Sequence, residues 1–160
     1  MLSTRLLFLC NDNTFLSVLA EALANSMSDG SVRAFSAGLL PAGHVDPMVF
    51  ELLHEEGIAG AGLSSKSWQI FTFPDAPGID RVITLSPRTA LVALPAFMGD
   101  PPRLRMVLDD PREITCPAER RWQARLFLRR LKADLCRLMD VRSSEMPLDL
   151  PVYEGLCAKG

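Results

Sequence analysis

Four times along the chain a short apolar run is followed by a segment with helical spacing, and this alternation constrains the fold more than any other feature. RLLFLC (residues 5–10) is nearly continuous in apolar character, as a strand buried on both faces of a parallel sheet requires. SVLAEALANSMS (17–28) then sets Leu19, Ala20, Leu23, Ala24 and Met27 on one helical face, with Ser17 as the expected N-cap and Asp29-Gly30 as the stop. SVRAFSAG (31–38) reads as the second strand. DPMVFELLHEEGI (46–58) reads as a helix with Asp46 at its cap, Pro47 at its first position and Gly57 at its end. DRVITL (80–85) and RLRMVL (103–108) are the remaining strands, followed by helices beginning SPRTALVAL (86–94) and spanning 117–139. The order predicts a three-layer α/β fold: an open sheet of about four parallel strands flanked by helices. One domain is expected over residues 1–140. A C-terminal extension, 141–160, carries Pro147 and Pro151 and has weak periodicity.

Charge and cysteine usage exclude several classes of function. A chain of 160 residues with 48% hydrophobic content can bury one core of ordinary size. Its net charge of −2 gives no footing for nucleic-acid binding, and Arg120, Arg121, Arg125, Arg129 and Arg130 read as a solvated helix face. No apolar stretch approaches the roughly 20 residues of a membrane span, and no leader pattern opens the sequence, so a cytoplasmic protein without a membrane partner is expected. Cys10, Cys116, Cys136 and Cys157 form no CxxC pair and no ligand spacing, which predicts reduced thiols and neither a bound metal nor a cofactor. Cys136 reads as a core residue of the last helix; His44 and His54 read as surface residues.

The loop after the first strand carries the chemistry. In open α/β sheets ligands bind beyond the carboxyl ends of the strands, where Cys10 lies. The polar stretch that follows feeds a helix N-terminus, whose free N–H groups and dipole favour an anion and a thiolate. Read without context, Cys10 fits better as a small buried hydrophobe ending a strand.

Residues 5–140 resemble the low-molecular-weight protein tyrosine phosphatases and the arsenate reductases that share their fold. That family's strand, C-x-G-N-x-x-R-S loop and AEAL helix are matched by C-N-D-N-T-F-L-S and V-L-A-E-A-L, so Cys10, Asn13, Ser17 and Ala20 to Leu23 fall on the pattern. Ser36-Ala37-Gly38, the helix ending at Gly57, DRVITL and Asp110-Pro111 follow in register. The resemblance implies phosphomonoester hydrolysis: Cys10 as nucleophile, Asp110 as general acid and base, and Asn11, Asp12, Asn13, Thr14, Phe15, Leu16 and Ser17 as the anion-binding loop. It also implies a phosphate-like oxyanion or a phosphorylated substrate as ligand.

This chain departs from the pattern at four places. Leu16 stands where the family has its loop arginine, and a charged clamp of that kind is worth about 10³ to 10⁵ in rate. Asp12 stands where the family has glycine, adding a negative charge at the mouth. Arg112 and Glu113 replace the aromatics that follow Asp-Pro, with Arg112 reading as a surface charge and Tyr153 the sole tyrosine. Ser86 occupies the place after the third strand where disulfide-cascade arsenate reductases carry resolving cysteines. These changes imply weak or lost catalysis. Two alternatives remain: a non-catalytic pseudophosphatase that binds an anion or a protein partner, and an arsenate-reductase-like thiol enzyme.

Overall fold

The structure, a computed structural model, describes residues 3–91 and 97–140. Strand β1 (Thr4–Cys10) is central. It pairs in parallel with β2 (Val32–Gly38) on one side and β3 (Arg81–Thr84) on the other, and β4 (Arg103–Arg105) lies outside β3, giving the order β2-β1-β3-β4. This is the predicted parallel sheet. Because β1 is internal, both its faces are buried, which explains the absence of polar alternation in RLLFLC.

The two faces of β1 belong to two cores. Leu6, Phe8 and Cys10 point into the larger one, built with helices α1 (Leu16–Met27), α2 (Pro47–Glu55) and α4 (Pro117–Asp140). Leu7 and Leu9 point to the opposite face, where Ala37, Phe71, Ile79, Val82 and Phe97 close a smaller cluster. Part of that second layer is a 3-10 turn, Trp68–Thr72, whose aromatics pack edge-on against Phe35 and Phe97. The short helix α3 (Pro87–Leu91) follows β3; residues 92–94 of the expected helix lie outside the described residues.

Two expectations need correction. Ser17 does not cap α1: the helix begins at Leu16, Phe15 holds the cap position without a side-chain bond, and the Ser17 hydroxyl is committed to Cys10. Cys136 is exposed, since the buried stripe of α4 runs through Ala124, Leu128, Leu131, Leu135 and Leu138, next to it on the wheel. The arginine-rich face of α4 lies at the surface as expected, with Arg121, Arg125, Arg129 and Arg130 exposed and the first two pairing with Glu55 of α2. Asp46 caps α2 as expected, accepting from the Met48 N–H at 2.9 Å. The extension 141–160, with Cys157 and Tyr153, lies outside the described residues.

Beyond β4 the chain keeps its parallel course. Met106 N–H donates to the Thr84 carbonyl and Leu108 N–H to the Leu85 carbonyl, and this ladder carries Asp110 to the carboxyl end of the sheet. Cys10 and Asp110 therefore arrive at the same carboxyl edge of the sheet, at the ends of β1 and of the course continuing β4, with β3 between them.

Candidate functional site

The loop from Asn11 to Phe15 is held from both sides. Leu39, Leu40 and Ala42 donate backbone bonds to the carbonyls of Cys10, Asn11 and Asp12, and Asp46 donates to that of Thr14. Asn13 takes a left-handed conformation (φ 51°), which asparagine tolerates better than most residues. Gly38 lets the loop close onto β2: a Cβ there would sit 2.9 Å from Asn13 Cβ and 3.1 Å from the Asn11 carbonyl oxygen.

Cys10 Sγ accepts the Asn13 N–H at 3.3 Å and lies 2.9 Å from Ser17 Oγ. The Asn13 amide donates to Ser17 Oγ at 2.7 Å and to Ser36 Oγ at 3.1 Å, so the Ser17 proton is free to point at sulfur. Asn13 Oδ1 in turn accepts the Lys66 N–H at 2.7 Å. Behind it, Ser36 bonds Glu21, and Lys66 Nζ lies 3.3 Å from both Glu21 Oε2 and Ser36 Oγ. Every one of these bonds steadies the loop. They do not activate the thiol: burial pushes the Cys10 pKa up from 9.0, the bonds from Ser17 and Asn13 only partly oppose this, and the Asp12 charge adds to it.

The cation of the site is misplaced relative to the motif. Leu16 is 5% exposed and packs into the larger core. Arg112, expected as a surface charge, instead reaches over the loop from the 3-10 turn Pro111–Glu113 and is half-buried. Its Nε and Nη2 fork onto Asp110 at 3.0 and 2.6 Å, and Nη1 donates to Thr14 Oγ1 at 2.7 Å. Asp46 Oδ2 lies 3.3 Å from Nη1 and Asp12 Oδ2 lies 3.6 Å from Nη2, while the guanidinium stacks 5.0 Å from the Phe15 ring centroid. Phe15 is thus held between Arg112 and Phe127, whose ring centroid is 6.0 Å away. Burial works against the charged guanidinium, yet the Asp110, Asp12 and Asp46 carboxylates outweigh it and hold Arg112 above its ordinary range.

The remaining loop residue of consequence is Asp12. Its Oδ1 accepts the Thr14 N–H at 3.2 Å and lies 3.9 Å from Cys10 Sγ. Among the described residues no group of three or more histidine, cysteine or acidic side chains is arranged to hold a metal. His44 and His54 are exposed. Sequence reasoning marked Cys10, Asp110 and residues 11–17; the structure sets Cys10, Asn13 and Ser17 in one hydrogen-bonded group with Asp12 beside the sulfur, ties Asp110 to Thr14 through Arg112, and turns Leu16 into the core. It missed Lys66, for which no motif or spacing gave a signal, and the role of Arg112.

A parallel sheet whose central strand ends in a cysteine-headed loop at a helix N-terminus, with an Asp-Pro turn facing it, defines an α/β protein of the phosphatase-loop type. The chain belongs to the low molecular weight phosphotyrosine protein phosphatase family, whose model matches residues 5–109. Among solved structures, an arsenate reductase from Archaeoglobus fulgidus is 30% identical, covers 84% of this chain and 98% of its own, and superposes with a TM-score of 0.65. A low molecular weight protein tyrosine phosphatase from T. tengcongensis shares the fold at 21% identity, with coverage of 86% and 98% and a TM-score of 0.67. An arsenate reductase in a phosphate-binding state does so at 24% identity, with coverage of 85% and 96% and a TM-score of 0.68. Among curated proteins no significant match was found. Among the described residues no helix is long and apolar enough to cross a membrane.

Proposed function

We propose that this chain is a pseudophosphatase: it keeps the family fold and cysteine loop but acts by binding, without turning over phosphomonoesters. The observation that carries this reading is the replacement of the loop arginine by buried Leu16 while the Arg112 guanidinium at the mouth is shared among Asp12, Asp46 and Asp110. Three requirements of the chemistry fail together. Burial pushes the nucleophile's pKa up, against what an attacking thiolate needs, and its hydrogen bonds only partly oppose this. The transferring phosphoryl group meets no unengaged cation within the loop. Both oxygens of Asp110 accept from Arg112, so the acid can reach a leaving group only by breaking a two-pronged ion pair.

An arsenate-reductase-like activity draws on the same pocket and lacks the same cation, so the argument applies to it equally. The free thiols Cys10, Cys116 and Cys136 support a reducing, cytoplasmic setting.

Hydrolysis of p-nitrophenyl phosphate by the unaltered protein, Cys10→Ser and Leu16→Arg tests the reading. The unaltered protein is expected to be no faster than Cys10→Ser. Turnover gained only in Leu16→Arg locates the deficit at that position and supports the proposal. Turnover by the unaltered protein that vanishes in Cys10→Ser overturns it.

A further inference from the structure

Asp12 is more than a missing glycine. Its backbone is fixed, because its carbonyl accepts from Ala42 N–H at 3.0 Å and Ser65 Oγ at 3.3 Å, so the side chain is delivered to a defined place. One carboxylate oxygen takes the Thr14 N–H at 3.2 Å and stands 3.9 Å from the Cys10 sulfur. The other lies 3.6 Å from the Arg112 guanidinium. A negatively charged group that accepts one loop amide and lies beside both the thiol and a cation stands among groups that an oxyanion at this loop would meet, although its side chain is 39% exposed.

We infer that the Asp12 carboxylate is an internal ligand of this loop, occupying the oxyanion position, and that Arg112 is the cation that serves that position from outside the loop. The site is self-occluded, and neutralising Asp12 opens it to a tetrahedral oxyanion such as inorganic phosphate. Arg112 is suited to the exchange. It reaches the loop through Thr14 Oγ1 at 2.7 Å and is braced on the Phe15 ring, so it keeps its station when one of its three carboxylate partners is removed. Asp12→Asn keeps an oxygen for the Thr14 N–H while deleting the charge that both repels a dianion and pairs with Arg112.

The test is binding of inorganic phosphate to the full chain by isothermal titration calorimetry, with circular dichroism to establish that each variant is folded. Asp12→Asn is expected to bind phosphate at least about tenfold more tightly than the unaltered protein. In Asp12→Asn/Arg112→Gln that gain is expected to disappear. Asp12→Gly, which restores the family's residue type, serves in place of Asp12→Asn if the latter does not fold. Binding by the charge-neutral variants no tighter than by the unaltered protein overturns the inference. A gain that persists without Arg112 overturns its second half. The inference rests on the loop shape that underlies the proposed function, but the two fail separately: one in phosphate affinity, the other in Cys10-dependent turnover.

Discussion

Replacing Arg112 by methionine removes the charge and hydrogen bonds at the centre of the site while leaving an unbranched chain to cover Phe15. The two-pronged bond to Asp110, with side-chain exposures of 24% and 16%, is the largest loss, about 1.5 to 3 kcal/mol for a charge-assisted contact of that geometry. The longer, wetter contacts to Asp46 and Asp12 add about 0.5 kcal/mol together. Loss of the guanidinium from the face of Phe15 adds about 0.5 to 1 kcal/mol. The sum is about 2.5 to 4.5 kcal/mol. For a chain of 160 residues that corresponds to a fall in Tm of roughly 5 to 18 °C. Urea unfolding of the full chain at neutral pH measures it directly, and a cycle with Asp110→Asn is expected to assign about half or more of the loss to that pair. A destabilisation under about 0.5 kcal/mol would falsify the placement of Arg112, since it is the value of an ordinary exposed ion pair.

Two further predictions follow from the loop. Gly38→Ala places a methyl group against Asn13 Cβ and the Asn11 carbonyl, neither of which is the far end of a flexible chain, so the loop must shift at a cost of about 1 to 3 kcal/mol; a melting temperature equal to that of the unaltered protein refutes the tight approach. The Cys10 thiol, raised above 9.0 by burial, binds its proton more tightly folded than unfolded. Its contribution to stability is therefore complete below the unfolded value and is lost as pH rises through the folded one. Urea midpoints taken upward from pH about 8 should fall more steeply for the unaltered protein than for Cys10→Ala, and identical slopes contradict the shift.

The elements that sequence predicted well are those whose signal is local. A strand buried on both faces must be apolar throughout, and RLLFLC is; Asp46-Pro47 opens a helix because its bonds lie within three residues of the cap. The site residues 10–17 were legible for the same reason, being one contiguous loop. Arg112 was not, because its meaning depends on Thr14, 98 positions away, and on a parallel course between Leu85 and Leu108 that no periodicity reports. Lys66 escaped notice because it contributes a backbone N–H to Asn13, a role open to any residue but proline. Ser17 was misread in a different way. Its type suits a helix cap, but it sits two residues past the cap with its hydroxyl bonded to the Cys10 sulfur. The preference for Ser at caps is a local tendency that the site overrides.

The measurement closest to the central claim is trapping of a covalent intermediate. The full chain is mixed with excess p-nitrophenyl phosphate, quenched in acid within the first seconds, digested, and the peptide containing Cys10 is weighed by mass spectrometry. The account predicts that this peptide carries no phosphoryl group, because burial holds the Cys10 pKa up and no cation in the loop receives the transferring phosphoryl. A cysteinyl-phosphate on Cys10, absent from the Cys10→Ser control, contradicts it.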